Sequence, residues 1–229
     1  MNPARHPDFA WAWLSRFLLY MATAMLITYQ VFYLIEHLGI SEERVSRLVF
    51  ITVLVLNAGI VVSSAAGGSL SDFAGGRRKV FILVSAAVFA LGTAVIAFAG
   101  SLDAFLFGVA VCGLGIGIYL AVDLALVSQV LPNPDDASKD LGVFNIASTL
   151  PQSLAPAIAP AFLAIPLFAS GGGANYTALY LVAALFALAS ALAIVPGSPL
   201  RAASPRTRST SFRARRLVGI SACQPKTKS

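Results

Sequence analysis

The chain has 229 residues, of which 58% are hydrophobic and only 11% charged, and its formal net charge at pH 7 is +6. With a mean hydropathy of +0.81, this composition excludes a water-soluble globular protein, whose surface helices would carry polar faces. The two cysteines, Cys112 inside an apolar stretch and Cys223 near the end, are not expected to meet, so no disulfide is predicted. The sequence therefore predicts that the protein lies in a lipid bilayer.

Six long apolar stretches follow one another, separated by short turns. Each has about 20 residues or more, which at ~1.5 Å per residue covers the ~30 Å hydrocarbon core of a membrane. Because lipid offers no hydrogen-bond partners to the backbone, each stretch is predicted to be a helix. The stretches are 10–34, 45–67, 80–99, 104–130, 143–169 and 177–195. The predicted fold is therefore an all-α integral membrane bundle of six transmembrane helices within residues 1–199.

The basic residues of the turns indicate the orientation. They are divided four against two between the two sides of the membrane: Arg77, Arg78, Lys79 and Lys139 against Arg44 and Arg47. Since cytoplasmic turns are enriched in Lys and Arg, both termini are predicted to be cytoplasmic, in a multi-pass protein of the cell (plasma) membrane.

Polar side chains inside the first stretch lie on one helical face. Arg16, Tyr20, Thr23 and Gln30 are at offsets 0, 4, 7 and 14, and a face of this kind is expected to contact protein or water rather than lipid. A charge at the centre of a membrane helix costs ~2.5–3.5 kcal/mol on insertion scales. These residues are therefore candidates for function.

The fourth stretch carries an intramembrane carboxylate, Asp123, with Tyr119 one turn earlier on the same side. Arg16 and Asp123 both lie seven residues, or ~10 Å, inside the predicted cytoplasmic boundary, so an ion pair between them is predicted. The alternative for Arg16 is that its long side chain reaches the near membrane surface. Asp123 is too short for that, which favours a functional role.

The fourth and fifth stretches also carry backbone signals. Gly113 and Gly117, with Ala121, have the small-xxx-small spacing that predicts close packing of two helices. The fifth stretch has Asn145 and Gln152 on one side, together with Thr149. Its prolines, which free backbone carbonyls and permit bends, are Pro151, Pro156, Pro160 and Pro166.

Signs of an enzyme are missing from the sequence. His6 and His37 lie outside the apolar stretches or at their ends, so no nucleophilic or metal-binding constellation is expected within the membrane. Neither a cofactor nor a metal is predicted.

The segment 200–229 differs in character from the rest. It carries eight basic and no acidic residues, whereas residues 1–199 carry eight basic and ten acidic ones. Mixed with Ser, Thr and Pro, this composition predicts a disordered basic cytoplasmic tail. The tail is interpreted as an appendage without a role, as a strip held against anionic headgroups, or as the product of a reading-frame change. Nucleic acid is not a predicted partner, since Phe212 is the tail's only aromatic residue.

The turn between the second and third stretches reads Gly68-Ser69-Leu70-Ser71-Asp72-Phe73-Ala74-Gly75-Gly76-Arg77-Arg78-Lys79. It resembles the cytoplasmic loop signature of the major facilitator superfamily, a conformational motif in which a Gly, an Asp four residues later and a Gly followed by basic residues join two helices. The matching residues are Gly68, Asp72, Gly75, Arg77 and Arg78. Segments 2–11, 119–126 and 139–156 resemble the second half of such transporters, and the resemblance runs from about Asn2 to Val195.

The resemblance implies one half of a twelve-helix machine in which two six-helix halves rock around a solute held between them. In that family the first and fourth helices of each half line the central cavity. The implied function is transport of a small solute by alternating access, coupled to protons or another cation, with Asp123 as the ion site. Arg16 is its implied partner or an anion-binding charge. The other residues expected along the substrate or ion path are Tyr20, Gln30, Tyr119, Asn145 and Gln152.

Two questions stay open from the sequence. A second copy of the chain or a separately encoded first half is expected to complete the machine; the alternative is a truncated, non-transporting membrane polypeptide or a structural partner. The polar residues of the stretches suit a sugar, a drug or an amino acid equally well, so they select no substrate.

Overall fold

A computed structural model describes residues 7–73, 78–130, 137–164 and 175–194. Within these ranges it contains helices and short turns but no strand, which confirms the predicted all-α fold. Six of the described helices are long and apolar enough to cross a membrane. They are α1 (Pro7–Phe32), α2 (Glu42–Phe73), α3 (Arg78–Ala97), α4 (Leu102–Val130), α5 (Ala137–Leu163) and α6 (Tyr176–Ala193).

Helix α2 extends further than its apolar stretch. Gly68 and Asp72, expected in the turn, both lie in the helix, which ends at Phe73. The physical reason is that glycine lowers helix stability by only about 1 kcal/mol, while a helix that has already formed adds one hydrogen bond for each further residue. Helix α5 ends at Leu163 rather than at residue 169, and residues 165–174 lie outside the described part, as does the predicted tail, 200–229.

A π-helical turn, Tyr33–His37, continues α1 without a break. Its widened turn is closed by the Leu38 amide, which donates to the Tyr33 carbonyl over 3.1 Å. The Tyr33 hydroxyl lies 2.9 Å from the carbonyl oxygen of Ile96 and 2.7 Å from that of Ala99, at the end of α3. The Ile96 carbonyl also accepts from the Ala99 amide over 3.1 Å. The Tyr33 hydroxyl therefore fixes the continuation of α1 against the last turn of α3, where carbonyls have few helical donors.

The helices pack in a fixed order of neighbours: α2, α4, α3, α6, α1, α5. Exchanging α1 with α4, α2 with α5 and α3 with α6 turns this order of neighbours into its own reverse. Helices three places apart also run in opposite directions across the bundle, because the number of crossings between them is odd. The six helices therefore form an inverted repeat of two three-helix units, with α2 and α5 at the outer ends.

The glycines of α4 set its distance from α2, as the small-xxx-small spacing predicted. A Cβ atom on Gly113 would collide with the carbonyl oxygen of Leu56, and one on Gly117 with the side chain of Ser63. Gly115, on another side of α4, lies against Phe89 of α3, where a Cβ atom would also be too close. These three residues let α4 pack backbone to backbone against both neighbours.

A proline in α5 supplies a hydrogen-bond acceptor to α1. Pro160 has no N–H group, so the carbonyl of Pro156, four residues earlier, lacks its helical donor. The Tyr29 hydroxyl of α1 donates to that carbonyl over 3.4 Å. This is the kind of compensation by a neighbouring helix that lets prolines persist in a membrane helix.

Candidate functional site

The candidate site lies between α1 and α4, helices that correspond to each other in the inverted repeat. Arg16 lies near the beginning of α1 and Asp123 near the end of α4. Because the two helices run in opposite directions, both residues are close to the same end of the bundle. The sequence predicted this matching depth.

The predicted ion pair is present. Arg16 Nη1 donates to Asp123 Oδ2 over 2.6 Å, and the two side chains are only 14% and 4% exposed. The guanidinium therefore turns toward the carboxylate, and the alternative in which it reaches the membrane surface is wrong. The backbones of α1 and α4 come close at few points in the described part of the chain. At the other end of the bundle, Tyr33, in the π turn that continues α1, stacks on Phe105 of α4 with ring centroids 5.2 Å apart. The ion pair is thus the polar contact between two helices whose backbones stay apart.

Two tyrosines surround the ion pair. The guanidinium carbon of Arg16 lies 5.4 Å from the centre of the Tyr20 ring, within the range of a cation–π interaction. The rings of Tyr20 and Tyr119 meet edge to face, with centroids 6.4 Å apart. The Tyr119 side chain is buried and interacts electrostatically with the Asp123 carboxylate. Four residues chosen from sequence thus form one cluster, called here the α1–α4 cluster: Arg16, Tyr20, Tyr119 and Asp123.

One oxygen of the carboxylate is left over. Asp123 Oδ1 is buried, and it accepts no hydrogen bond of good geometry from any residue that the structure describes. The Tyr119 hydroxyl does interact with this carboxylate as a hydrogen-bond donor. A buried carboxylate with so few donors is suited to accept a proton or to face a cation.

The remaining path residues lie apart from the cluster. Gln30 is buried on α1, but 14 residues from Arg16, or about 21 Å along the helix axis. Asn145 and Gln152 are exposed on α5. The Asn145 side-chain oxygen accepts a hydrogen bond from Ser148, its neighbour on the same helix, over 3.2 Å.

The loop motif is described only in part. Gly68 and Asp72 lie in the last turns of α2, and Arg78 begins α3. Gly75 and Arg77 lie outside the described residues. The role of this motif stays a prediction. Among the described residues, no group of three or more His, Cys, Asp and Glu is placed to hold a metal ion.

Several polar contacts between helices were missed by sequence reasoning. The hydroxyls of Ser15 and Ser190 lie 3.1 Å apart, buried between α1 and α6. At the other end of α1, the Tyr176 hydroxyl donates to Glu36 Oε2 over 2.6 Å. A carboxylate at the end of an apolar run was a usable signal for Glu36. A lone serine in an apolar helix carries no comparable signal, since it also bonds readily to its own backbone.

Membrane-crossing helices arranged as an inverted repeat, with ionisable side chains between corresponding helices, are features of secondary transporters. The chain matches the family model of the Major Facilitator Superfamily over residues 12–223, and it belongs to this family. The match continues into the basic tail, further than the resemblance that ended at Val195. A comparison with curated proteins gives no match. The chain is therefore a multi-pass membrane protein of the major facilitator type, a family of transporters.

Proposed function

We propose that this chain is half of a secondary transporter that moves a small solute by alternating access, with Asp123 as the site that takes up a proton or another cation. The observation that carries the proposal is the α1–α4 cluster: a buried ion pair bridging two helices whose backbones come close at few points. Neutralising either partner would remove the attraction that holds the bridge. Ion binding would then be coupled to separation of the two helices.

Arg16 has a second role in this proposal. When a proton or cation neutralises the Asp123 carboxylate, the guanidinium loses its counter-charge and becomes available to an anionic group of the solute. Arginine suits this role because its fork of N–H donors matches carboxylate and phosphate oxygens. Binding of the ion and of the solute would in this way favour each other.

A second six-helix unit is proposed to cover α2 and α5. Only 17% of the α2 span and 28% of the α5 span are buried, against 50–56% of the other four described spans. The exposed faces include amides within the spans: Asn57, Asn145 and Gln152. Exposed amides are costly in hydrocarbon, so these faces are better suited to protein or to a water-filled cavity. The unit is a second copy of this chain or a separately encoded first half.

The transport proposal is tested by uptake into proteoliposomes under an imposed pH gradient, using a panel of labelled sugars, amino acids and lipophilic cations as probes. Asp123→Asn is expected to abolish gradient-driven uptake. The matched control is Asp103→Asn, the same change in the exposed first turn of the same helix, which is expected to retain it. Equal uptake by the wild type and the Asp123→Asn variant would remove Asp123 from the mechanism.

The second unit is tested by cross-linking in liposomes, with Gln152→Cys in a Cys223→Ser background. Disulfide-linked dimers would support pairing of two copies. Their absence, with uptake appearing only when a separate six-helix half is reconstituted alongside, would support the separate half. If no uptake occurs under either condition, the alternative of a non-transporting membrane polypeptide is favoured.

The protein is proposed to lie in the plasma membrane with both termini in the cytoplasm. This orientation follows from the distribution of basic residues between the turns. Ser41→Cys and Ser101→Cys, in two of the three turns expected outside, test it by their reaction with a membrane-impermeant thiol reagent in intact cells, against Ser138→Cys as the inside control. Labelling of the inside control alone would reverse the orientation.

A further inference from the structure

A cavity lies at the end of the bundle opposite the α1–α4 cluster. It has a volume of about 560 Å³, within the usual ~300–1,000 Å³ of ligand pockets. Its walls come from three places: the turn after α1, the first turns of α2 and the turn before α4. No role has been assigned to it by the transport proposal, whose residues lie elsewhere.

One face of α2 forms the longest wall of this cavity. Arg44, Arg47, Leu48 and Ile51 all line it, at offsets 0, 3, 4 and 7, the spacing of a single helical face. The polarity of the wall therefore decreases along the helix, with two guanidinium groups nearest the helix start and two aliphatic side chains further in. Leu38 and Leu102 add apolar surface from the neighbouring turns.

The order of these residues along α2 runs from basic to apolar, the order that a bilayer has from its surface inward. The α2 span begins at Glu42, so Arg44 and Arg47 lie about 3 and 8 Å inside it, and Ile51 lies about 14 Å inside. The headgroup layer is ~5–7 Å thick on each side of the hydrocarbon. Arg44 and Arg47 are therefore the residues of this wall nearest the start of the span, while Leu48 and Ile51 lie deeper along it.

Neither arginine of this wall forms an ion pair within the described part of the chain. No carboxylate there lies within 4.0 Å of either guanidinium. Glu42 and Glu43 begin the same helix, but neither lines the cavity. These two arginines lie on the predicted outer side of the membrane, where Lys and Arg are less frequent than in cytoplasmic turns. A local ligand for them accounts for their position.

We propose that this cavity binds an anionic phospholipid of the leaflet at this end of the bundle. Its phosphate and headgroup would pair with Arg44 and Arg47, and the upper part of one acyl chain would lie along Leu48 and Ile51. A zwitterionic lipid would bind less well, because its own ammonium group offsets the phosphate charge. Basic residues near an anionic lipid surface each contribute an attraction that, for two residues, corresponds to roughly ten- to thirtyfold in affinity.

The test uses the full chain, purified in detergent and depleted of lipid, with dioleoyl phosphatidylglycerol and dioleoyl phosphatidylethanolamine as probes. Bound lipid is counted by native mass spectrometry, and the thermal midpoint is followed during titration. The wild type and the charge-retaining variant Arg44→Lys/Arg47→Lys are expected to retain phosphatidylglycerol and to be stabilised by it. Arg44→Gln/Arg47→Gln is expected to bind it roughly tenfold more weakly, with no change for phosphatidylethanolamine.

Two further arms locate the site and identify the ligand. Lys139→Gln, at the opposite end of the bundle, is the control for a general loss of positive charge and is expected to bind like the wild type. Leu48→Asn/Ile51→Asn is expected to weaken binding of the dioleoyl lipid, which requires the apolar wall. Glycerol 3-phosphate, the headgroup chemistry without acyl chains, is expected to give no stabilisation.

The proposal is overturned if Arg44→Gln/Arg47→Gln retains phosphatidylglycerol as well as the wild type, which would assign the lipid to other basic residues. It is also overturned if glycerol 3-phosphate stabilises the wild type and the lipid adds nothing, since the ligand would then be a soluble phosphate. A variant that fails to fold is replaced by the single changes Arg44→Gln and Arg47→Gln, each expected to lose part of the affinity.

Discussion

The rings of Tyr33 and Tyr180 meet edge to face with centroids 5.3 Å apart, yet their hydroxyl groups are in opposite situations. The Tyr33 hydroxyl reaches two carbonyl oxygens at the end of α3. The Tyr180 hydroxyl is buried and finds no hydrogen-bond partner among the residues that the structure describes. The same chemical group thus stabilises the bundle at one position and costs free energy at its neighbour.

Matched Tyr→Phe changes follow from this difference. Tyr33→Phe is expected to lower the free energy of unfolding by about 1–2 kcal/mol, because it removes a buried hydroxyl that donates to the carbonyls at the end of α3. Tyr180→Phe is expected to leave stability unchanged or to raise it, because it removes a buried polar atom that has no partner. Equilibrium unfolding in mixed detergent micelles measures both; equal losses for the two variants would contradict the contrast.

The Arg16–Asp123 pair predicts a strongly non-additive effect. Arg16→Leu leaves the buried carboxylate without its counter-charge and is expected to destabilise the bundle by about 3–5 kcal/mol. The double variant Arg16→Leu/Asp123→Leu is expected to lose less than the single variant, since an apolar pair of similar size avoids an unpaired charge. The same unfolding measurement tests this. Additive losses would mean that the two groups act independently.

The contact between α2 and α4 predicts a difference between two glycines. Gly117→Ala is expected to cost about 1–3 kcal/mol, because the added methyl group meets the Ser63 side chain and the Ile60 carbonyl and forces the helices apart. Gly142→Ala is the control, since a Cβ atom there meets nothing within 4 Å. It is expected to be neutral or to stabilise α5 by up to about 1 kcal/mol. A Gly117 variant as stable as the wild type would show that α2 can move away at no cost.

The Pro156 carbonyl, which Pro160 leaves without a helical donor, predicts that substitutions at Tyr29 of α1 and Pro160 of α5 have coupled effects on stability. Tyr29→Phe is expected to cost about 0.5–1 kcal/mol in the natural background, where its hydroxyl serves the Pro156 carbonyl. In a Pro160→Ala background that carbonyl gains its normal helical donor, so the same change is expected to cost less. A double-mutant cycle in unfolding free energy gives the coupling. Zero coupling would show that the 3.4 Å contact contributes nothing.

Local chemistry was sufficient for much of the fold. The six spans followed from hydropathy and length, because transfer of each segment into hydrocarbon depends on its own side chains and hardly on its neighbours. The face shared by Arg16 and Tyr20, and that shared by Tyr119 and Asp123, followed from helical spacing. Their equal depth followed from counting residues to the membrane boundary. The resemblance to the family added the expectation that the helices carrying them line a central cavity.

Other features could not be read from one sequence. Nothing local distinguishes the order α2, α4, α3, α6, α1, α5 from other orders, because all apolar faces are alike to lipid. The bond between Ser15 and Ser190 depends on that order, as does the cavity lined by Arg44 and Arg47. The π turn at Tyr33 depends on where α3 ends.

The sequence by itself determined that the chain spans a membrane, where its helices lie along the chain and which ionisable groups enter the hydrocarbon. The tertiary structure confirmed the predicted pairing of Arg16 with Asp123 across α1 and α4, and it alone decided that Tyr33 meets the end of α3 and that Gln30 lies apart from the cluster. The physical reason is one of range. Hydration and backbone hydrogen bonding act within a segment, whereas packing between helices depends on the joint fit of side chains far apart in sequence.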